Sequence, residues 1–411
     1  MLKTACFPPQ LRQRRVASLL VVASFISLLL HFTLYRESWR HRAHQVLGLS
    51  GFKAPAPKQS HDASESEKPL GIGQTYEGSR IGKVTMLYGP SRPVYERALR
   101  THKVHNQIHG YHMVVQRHEM LPGFWTKPSI ILSVILNELS KAPNDRLEWL
   151  FWIDADSVII NYNTPLDIFL PPSHVEELAH INILVTKDWN GLNNGIFGLR
   201  VGPYAAELFA SIVAYSHYKP DTPLIFHDQS AMEEVLKMTK FGKHSATLPQ
   251  RWFNAYTTGI ENMPVESEVQ AGDLLVHFAG VGNRESVMAH WCDVSEKREA
   301  KWLSHASENG LLEQVRTFWD RYKTDLVQNK ENWVQGKMKL QEAIGKAQDA
   351  LTSRAGAAAD SEALRKALQA ARDLNATVYT IGPDDVGDTE RDKLSTVLKE
   401  VEKASKPPNA A

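Results

Sequence analysis

Read for its polar and apolar positions, the chain falls into four stretches. Residues 16–35 (VASLLVVASFISLLLHFTLY) are apolar almost throughout, broken only by hydroxyl side chains and His31. A helix needs about 20 such residues to cross a hydrocarbon core. Lys3, Arg12, Arg14 and Arg15 precede the run with no acid among them, which favours a cytosolic N-terminus. Tyr35-Arg36-Glu37-Ser38-Trp39 at its end is a poor cleavage site, so a retained anchor is expected in place of a removed signal peptide. The expected layout is a cytosolic tail over 1–15, a transmembrane signal anchor over 16–35 and a luminal remainder. Residues 36–80, rich towards their end in Ser, Pro, Lys, Glu and Gly, cannot bury a core and read as a flexible stem.

The third stretch, 81–337, alternates short apolar runs with helical spacing. Strands are expected at Lys83–Gly89, Tyr111–Gln116, Trp149–Asp154, Ile181–Lys187, Gly195–Val201 and Asp273–Ala279. Helices are expected at Pro93–His109, Lys127–Ser140, Pro203–His217 and Asp228–Met238. Ile130, Ile131, Val134, Ile135 and Leu139 recur at helical spacing. WLFWID (Trp149–Asp154) is apolar at each position before its Asp, as in a strand buried on both faces. This alternation implies an α/β domain with a mostly parallel sheet. The last stretch, 338–411, is rich in Ala, Lys, Glu and Gln and reads as a helical, largely solvated and partly disordered tail.

Composition narrows the picture. With 43% hydrophobic and 23% charged residues, bulk disorder is excluded. Lys plus Arg number 47 against 46 Asp plus Glu, so no basic excess points to nucleic acid. The two cysteines, Cys6 and Cys292, would lie on opposite sides of a spanning anchor, which excludes a disulfide scaffold and a thiolate zinc cluster. The first strand runs into YGPSRP, not a glycine-rich dinucleotide fingerprint, and no P-loop occurs.

The chemistry concentrates at Phe151-Trp152-Ile153-Asp154-Ala155-Asp156. Strand periodicity would put Asp154 and Asp156 on one face, at the strand end where α/β ligands bind. Two such carboxylates repel unless a cation sits between them, and Mn²⁺ or Mg²⁺ would suit. Two other readings compete. One is a turn in which Asp caps backbone amides. The other is a haloacid-dehalogenase-type phosphatase with Asp154 as nucleophile, Asp156 as general acid/base and Asp384-Asp385 as its late acidic loop.

Lys187-Asp188-Trp189-Asn190-Gly191-Leu192-Asn193-Asn194-Gly195 offers amides and an indole to sugar hydroxyls and rings, or else is a plain β-turn. Asp228, ahead of Gln229, would serve as an N-cap or act at a sugar's reacting carbon. His277 ends an apolar run, either structural or a third metal ligand. Arg284 could neutralise a phosphate, or be an ordinary surface charge.

Taken in order, Met86-Leu87-Tyr88-Gly89, Trp152–Asp156, Asp188–Asn193, Asp228-Gln229-Ser230-Ala231, Leu248–Asn254 and Gly272–Gly280 resemble the fungal galactosyl/mannosyl transferase family, glycosyltransferase family 34, over about residues 83–290. The resemblance implies a Rossmann-like GT-A fold and metal-dependent, retaining hexosyl transfer from a nucleotide sugar (UDP-galactose ahead of GDP-mannose) to a glycan. It implies Asp154, Asp156 and His277 as Mn²⁺ ligands, and Gly89 in the loop at the nucleotide. It places Asn190, Gly191 and Asn193 along the donor sugar, and Asp228 and Gln229 near the anomeric carbon. Lys187 and Arg284 remain to face the diphosphate. Anchor and stem suit a Golgi type II enzyme, and a catalytically silent subunit of a transferase complex is the alternative. The chain departs from the family pattern at Asn194-Gly195-Ile196-Phe197.

Overall fold

The computed structural model describes residues 78–258, 265–353 and 358–406. The expected cytosolic tail, anchor and nearly all of the stem lie outside them. Among the described residues no helix is long and apolar enough to cross a membrane.

Nine strands form among the described residues: β1 (Ile81–Met86), β2 (His112–Gln116), β3 (Trp149–Ile153), β4 (Ser157–Ile159), β5 (Ile183–Asp188), β6 (Gly191–Arg200), β7 (Ser245–Thr247), β8 (Ala255–Tyr256) and β9 (Leu275–His277). Six make the main sheet in the order β2-β1-β3-β6-β5-β7. β1 pairs parallel with β2 and β3, and β5 parallel with β7, while β6 runs against both β3 and β5. The reversal follows from chain length. Only Trp189 and Asn190 separate β5 from β6, and a parallel crossover needs roughly a dozen residues.

β3 shows why the sheet is buried. Trp149, Phe151 and Ile153 enter the core on one face, and Leu150 and Trp152 the core on the other. That is the strand period of two with apolar side chains at every position. Helix α1 (Pro93–His109) starts on a proline and stops at Gly110, whose φ of 73° suits a left-handed cap. Helix α2 (Thr126–Leu139) buries Ile130, Ile131 and Ile135. It packs on the same face of the sheet as α3 (Pro203–Tyr218) and α4 (Asp228–Leu236).

Two expectations change here. Asp273–Ala279 does not join the main sheet. Its central residues form β9, between β4 and β8 in a second, three-stranded sheet. β4 and β8 are too short, at three and two residues, to show any period in the sequence. After α5 (Arg284–Lys297), the tail is helical as expected, but it buries a core of its own instead of standing largely solvated. α6 (Leu311–Ser353) is one 43-residue helix. Its first turns bury Leu311, Val315 and Trp319 in the α/β core. Its later turns bury Trp333, Leu340, Ala343 and Ala347 against α7 (Ala358–Val378) and α8 (Asp388–Ser405). The alanines that read as solvated helix are partly the small residues that let these helices approach. Residue 337 falls inside α6, and its ammonium donates to the Tyr379 and Ile381 carbonyls at 3.0 and 3.1 Å.

Candidate functional site

β3 ends at Ile153, but the Asp154 amide still donates to the Gly195 carbonyl at 2.8 Å, extending the pairing with β6 by one residue. The chain then turns through Ala155 into β4. Asp154 and Asp156 both line one cavity of about 690 Å³. His277, at the end of β9, joins them across the β4–β9 pair, where it lies opposite Ser157. One ligand atom from each of Asp154, Asp156 and His277 lies within 4.8 Å of the others.

The imidazole is held by a chain of hydrogen bonds. Its Nδ1 donates to Asn254 Oδ1 at 2.8 Å. Asn254 Nδ2 donates to Asn193 Oδ1 at 2.9 Å, and Asn193 Nδ2 to Asp188 Oδ2 at 2.9 Å. The Tyr256 hydroxyl closes the chain on Asp188 Oδ2 at 2.7 Å. Burial, with Asp188 beside it, raises the Tyr256 pKa far above its ordinary value, so it remains a donor. With Nδ1 committed, His277 turns Nε2 toward Asp156 Oδ1, 3.6 Å away. An orienting partner on one ring nitrogen is what a metal-ligating histidine needs on the other. Asn254 stood in a quoted motif without a role; only the fold shows it beneath His277.

The acidic pair is not bare, as mutual repulsion alone would leave it. Arg284 Nη1 sits 2.8 Å from Asp156 Oδ2, and Lys127 Nζ 3.1 Å from Asp154 Oδ1. The Trp152 indole also donates to Asp154 Oδ1, at 2.7 Å. Burial pushes the Asp156 pKa up, but His277 and Arg284 outweigh it and hold the group at about 2. Lys127 and Trp152 meet Asp154 at Oδ1 and Arg284 meets Asp156 at Oδ2, so each carboxylate keeps a second oxygen, and two carboxylates with an imidazole nitrogen fit a divalent ion such as Mn²⁺.

On the opposite wall Asn194 is the hub. Its side chain donates to Asp228 Oδ2 at 2.8 Å, its amide to Gln229 Oε1 at 3.1 Å, and its carbonyl accepts from Lys127 at 2.5 Å. Burial raises the Asp228 pKa. Asp228 is therefore no N-cap. His227 holds that position, at φ 49° and with no side-chain capping bond. The Asp188–Gly191 stretch combines both of its readings. It is a hairpin turn, with the Asn190 amide donating to Asp188 Oδ1 at 2.7 Å, and its tip carries Trp189 and Asn190 into the cavity.

The cavity thus gathers Asp154, Asp156, Asn190, Asn193, Asp228, Gln229 and Arg284. It does not gather Gly89, Gly191 or Lys187. Gly89, at φ 90°, lies beyond the end of β1. Gly191, at φ 106°, backs onto Glu233. Lys187 is one residue out of phase with Asp188 and lines a different groove. Sequence reasoning misses Lys127, because a helical lysine carries no signature until the fold pairs it, and it takes Asn194 only as one amide of the Lys187–Gly195 cluster, not as the residue that holds Asp228 and Gln229. The phosphatase reading fails on geometry. Its motif follows the third strand of the domain, and Asp384 and Asp385 pair with Lys330 and Lys243 away from the cavity.

Residues 168–287 match the model of the galactosyl transferase GMA12/MNN10 family. Over this segment the chain is similar to that family. The matched segment holds Asn190, Asn193, Asp228, Gln229, Asn254, His277 and Arg284, whereas Asp154 and Asp156 precede it. The chain is also similar to two proteins of Schizosaccharomyces pombe. It is 26% identical over 208 residues to the probable alpha-1,2-galactosyltransferase gmh1, covering 43% of this chain and 60% of that one. It is 26% identical over 198 residues to the probable alpha-1,2-galactosyltransferase gmh2, covering 39% and 52%. The chain therefore spans between half and two thirds of the length of these relatives. Among solved structures it is similar to a glycosyltransferase involved in the glycosylation of the major capsid of PBCV-1, at 17% identity and a TM-score of 0.42, over 51% of this chain and 98% of that one. It is also similar to the galactosyltransferase LgtC in complex with donor and acceptor sugar analogues, at 11% identity and a TM-score of 0.33, over 51% and 95%.

Proposed function

We propose that this chain is a Golgi type II membrane glycosyltransferase of GT-A fold that moves a hexose from a nucleotide sugar to a glycan with retention of configuration. The observation that carries the reading is the convergence of Asp154, Asp156 and His277 within 4.8 Å at a cavity whose other wall is amides. The printed names of the two curated relatives put galactose first as the donated sugar, with mannose next.

Asp154, Asp156 and His277 would hold the divalent ion, Mn²⁺ by preference, which supplies positive charge to the donor diphosphate as its bond to the sugar breaks. Arg284, the first residue of α5, adds a guanidinium beside that helix's N-terminal amides, a suitable site for phosphate oxygens. Asn190 presents its amide to the sugar hydroxyls, while Asn193, its own amide bonded to Asp188 and Asn254, braces the wall behind it. Asn194 holds both Asp228 and Gln229, so neither is free to swing toward an anomeric carbon unaided. With Asp228 so engaged, no carboxylate among the described residues is poised as a covalent nucleophile. Retention is then best served by attack from the face the phosphate leaves, with a departing phosphate oxygen taking the acceptor's proton. Gln229 lies near the sugar and steadies its developing charge.

The test is a donor screen with the purified chain, reading UDP or GDP release with and without Mn²⁺ and scoring the anomer formed. Release with no nucleotide sugar, or full activity in EDTA, would sink the reading. Protease added to sealed vesicles tests the topology, and digestion of residues 81–337 would refute it.

A further inference from the structure

We propose that a second groove, continuous with the catalytic cavity, binds the remote part of an extended neutral oligosaccharide acceptor. The proposal rests on the transferase reading above. The groove, of about 1060 Å³, runs between the β5–β6 hairpin, the Leu248–Trp252 segment and the first turns of α6. It exceeds the space that usually serves one small ligand, roughly 300–1,000 Å³. Asp188 and Trp189 line both the groove and the cavity, so a ligand can pass from one to the other over a single residue pair.

The lining suits a sugar chain. Trp189 is 53% exposed, and its ring stands edge-on to Tyr256 at 5.5 Å, which leaves a face to stack on a pyranose. Further along, the half-buried Phe318 ring continues the aromatic track, backed edge-to-face at 5.4 Å by the buried Trp252. Charges of both signs border it. Arg251 is tied to Asp273 at 3.2 Å, and Glu313 to Arg316 at 2.7 Å. The lining carries Lys187, Arg251 and Arg321 against Asp188, Glu266 and Glu313, so its charge is balanced and it does not select a polyanion. The remaining polar groups, Gln314 and Thr317 among them, are exposed on α6 and offer donors and acceptors to hydroxyls. This wall, on α6, lies beyond the family-matched segment.

The test titrates the solubilised full chain against neutral hexose glycans from a monosaccharide to a hexasaccharide, beside an uncharged peptide of similar length. Nucleotide-sugar hydrolysis is followed in parallel. Longer glycans are expected to bind about tenfold tighter than the monosaccharide. Gln314→Ala and Arg321→Ala, both exposed on α6, are expected to erase that advantage while leaving hydrolysis and the circular dichroism spectrum unchanged. Phe318→Ala should do the same more strongly. Equal affinity for short and long glycans, a preference for the peptide, or an undiminished length dependence in all three variants would overturn the proposal. Absence of hydrolysis with every donor would instead refute the transferase reading, while length-dependent glycan binding would still be read directly.

Discussion

Gly195 and His277 are matched in shape: a β-carbon on Gly195 would lie 2.8 Å from the ring Nε2 and 3.0 Å from Nδ1. One strand of the main sheet thereby leaves room for an imidazole delivered by the smaller sheet. Gly195→Ala is expected to displace the ring, since real β-carbons essentially never come so close. The expected result is a Mn²⁺ requirement raised about tenfold or more, measured as the metal concentration for half-maximal activity. An unchanged requirement would show that the ring does not serve the ion.

His277→Ala should raise the same requirement more than it lowers the melting temperature of the metal-free protein. A large stability loss with normal metal dependence would mean that the Asn254–His277 bond is purely structural.

Asp156 carries a stability signature of its own. Its folded pKa of about 2 lies below the ordinary 3.8. The unfolded chain therefore binds more protons in that window, and the stabilisation is present above it and lost as pH falls through about 2. Asp156→Asn should cost about 2 kcal/mol at neutral pH without metal. The difference from wild type should vanish in chemical denaturation at the acid end.

Asp273 behaves with the opposite sign. Burial raises its pKa to about 6, against the pull of Arg251. Between 3.8 and about 6 the folded chain holds the extra proton, so stability falls as pH rises through that window. Asp273→Asn should flatten this dependence and stabilise the protein at neutral pH by about 1 kcal/mol, once the lost Arg251 pairing is discounted. A variant less stable at pH 7 would refute it.

Asn194→Asp should place a second carboxylate against Asp228, 2.8 Å from the present amide. Turnover is expected to drop about a hundredfold, with the donor KM altered less, in steady-state kinetics.

Long, strongly patterned segments were legible from residues alone. The helix expected from Pro93 to about His109 forms with those bounds, opened by a proline and closed by Gly110. WLFWI marks a doubly buried strand, and the spacing of Asp154 and Asp156 at its end marks a candidate metal pair, beside which the fold brings His277. What the sequence could not show depends on pairing across distance. The direction of β6 comes from the tight Trp189-Asn190 link, and β9 leaves the main sheet because β4 captures it. Lys187 looked equivalent to its neighbours in a cluster, but a strand turns alternate side chains to opposite faces. Asn194 and Asn254 matter for what they hold, which only three-dimensional neighbours reveal.

The unbroken run of α6 couples events at its two ends. A helix extends by one residue far more readily than it starts afresh, so disruption of the bundle around Leu340 and Leu394 would fray a helix whose first turns carry Val315 and Trp319 into the α/β core. The two regions should therefore melt together, as one calorimetric transition. Cutting the chain at residue 337 would not release an independent catalytic fragment but would lower the melting temperature of what remains and loosen the aromatic wall at Phe318.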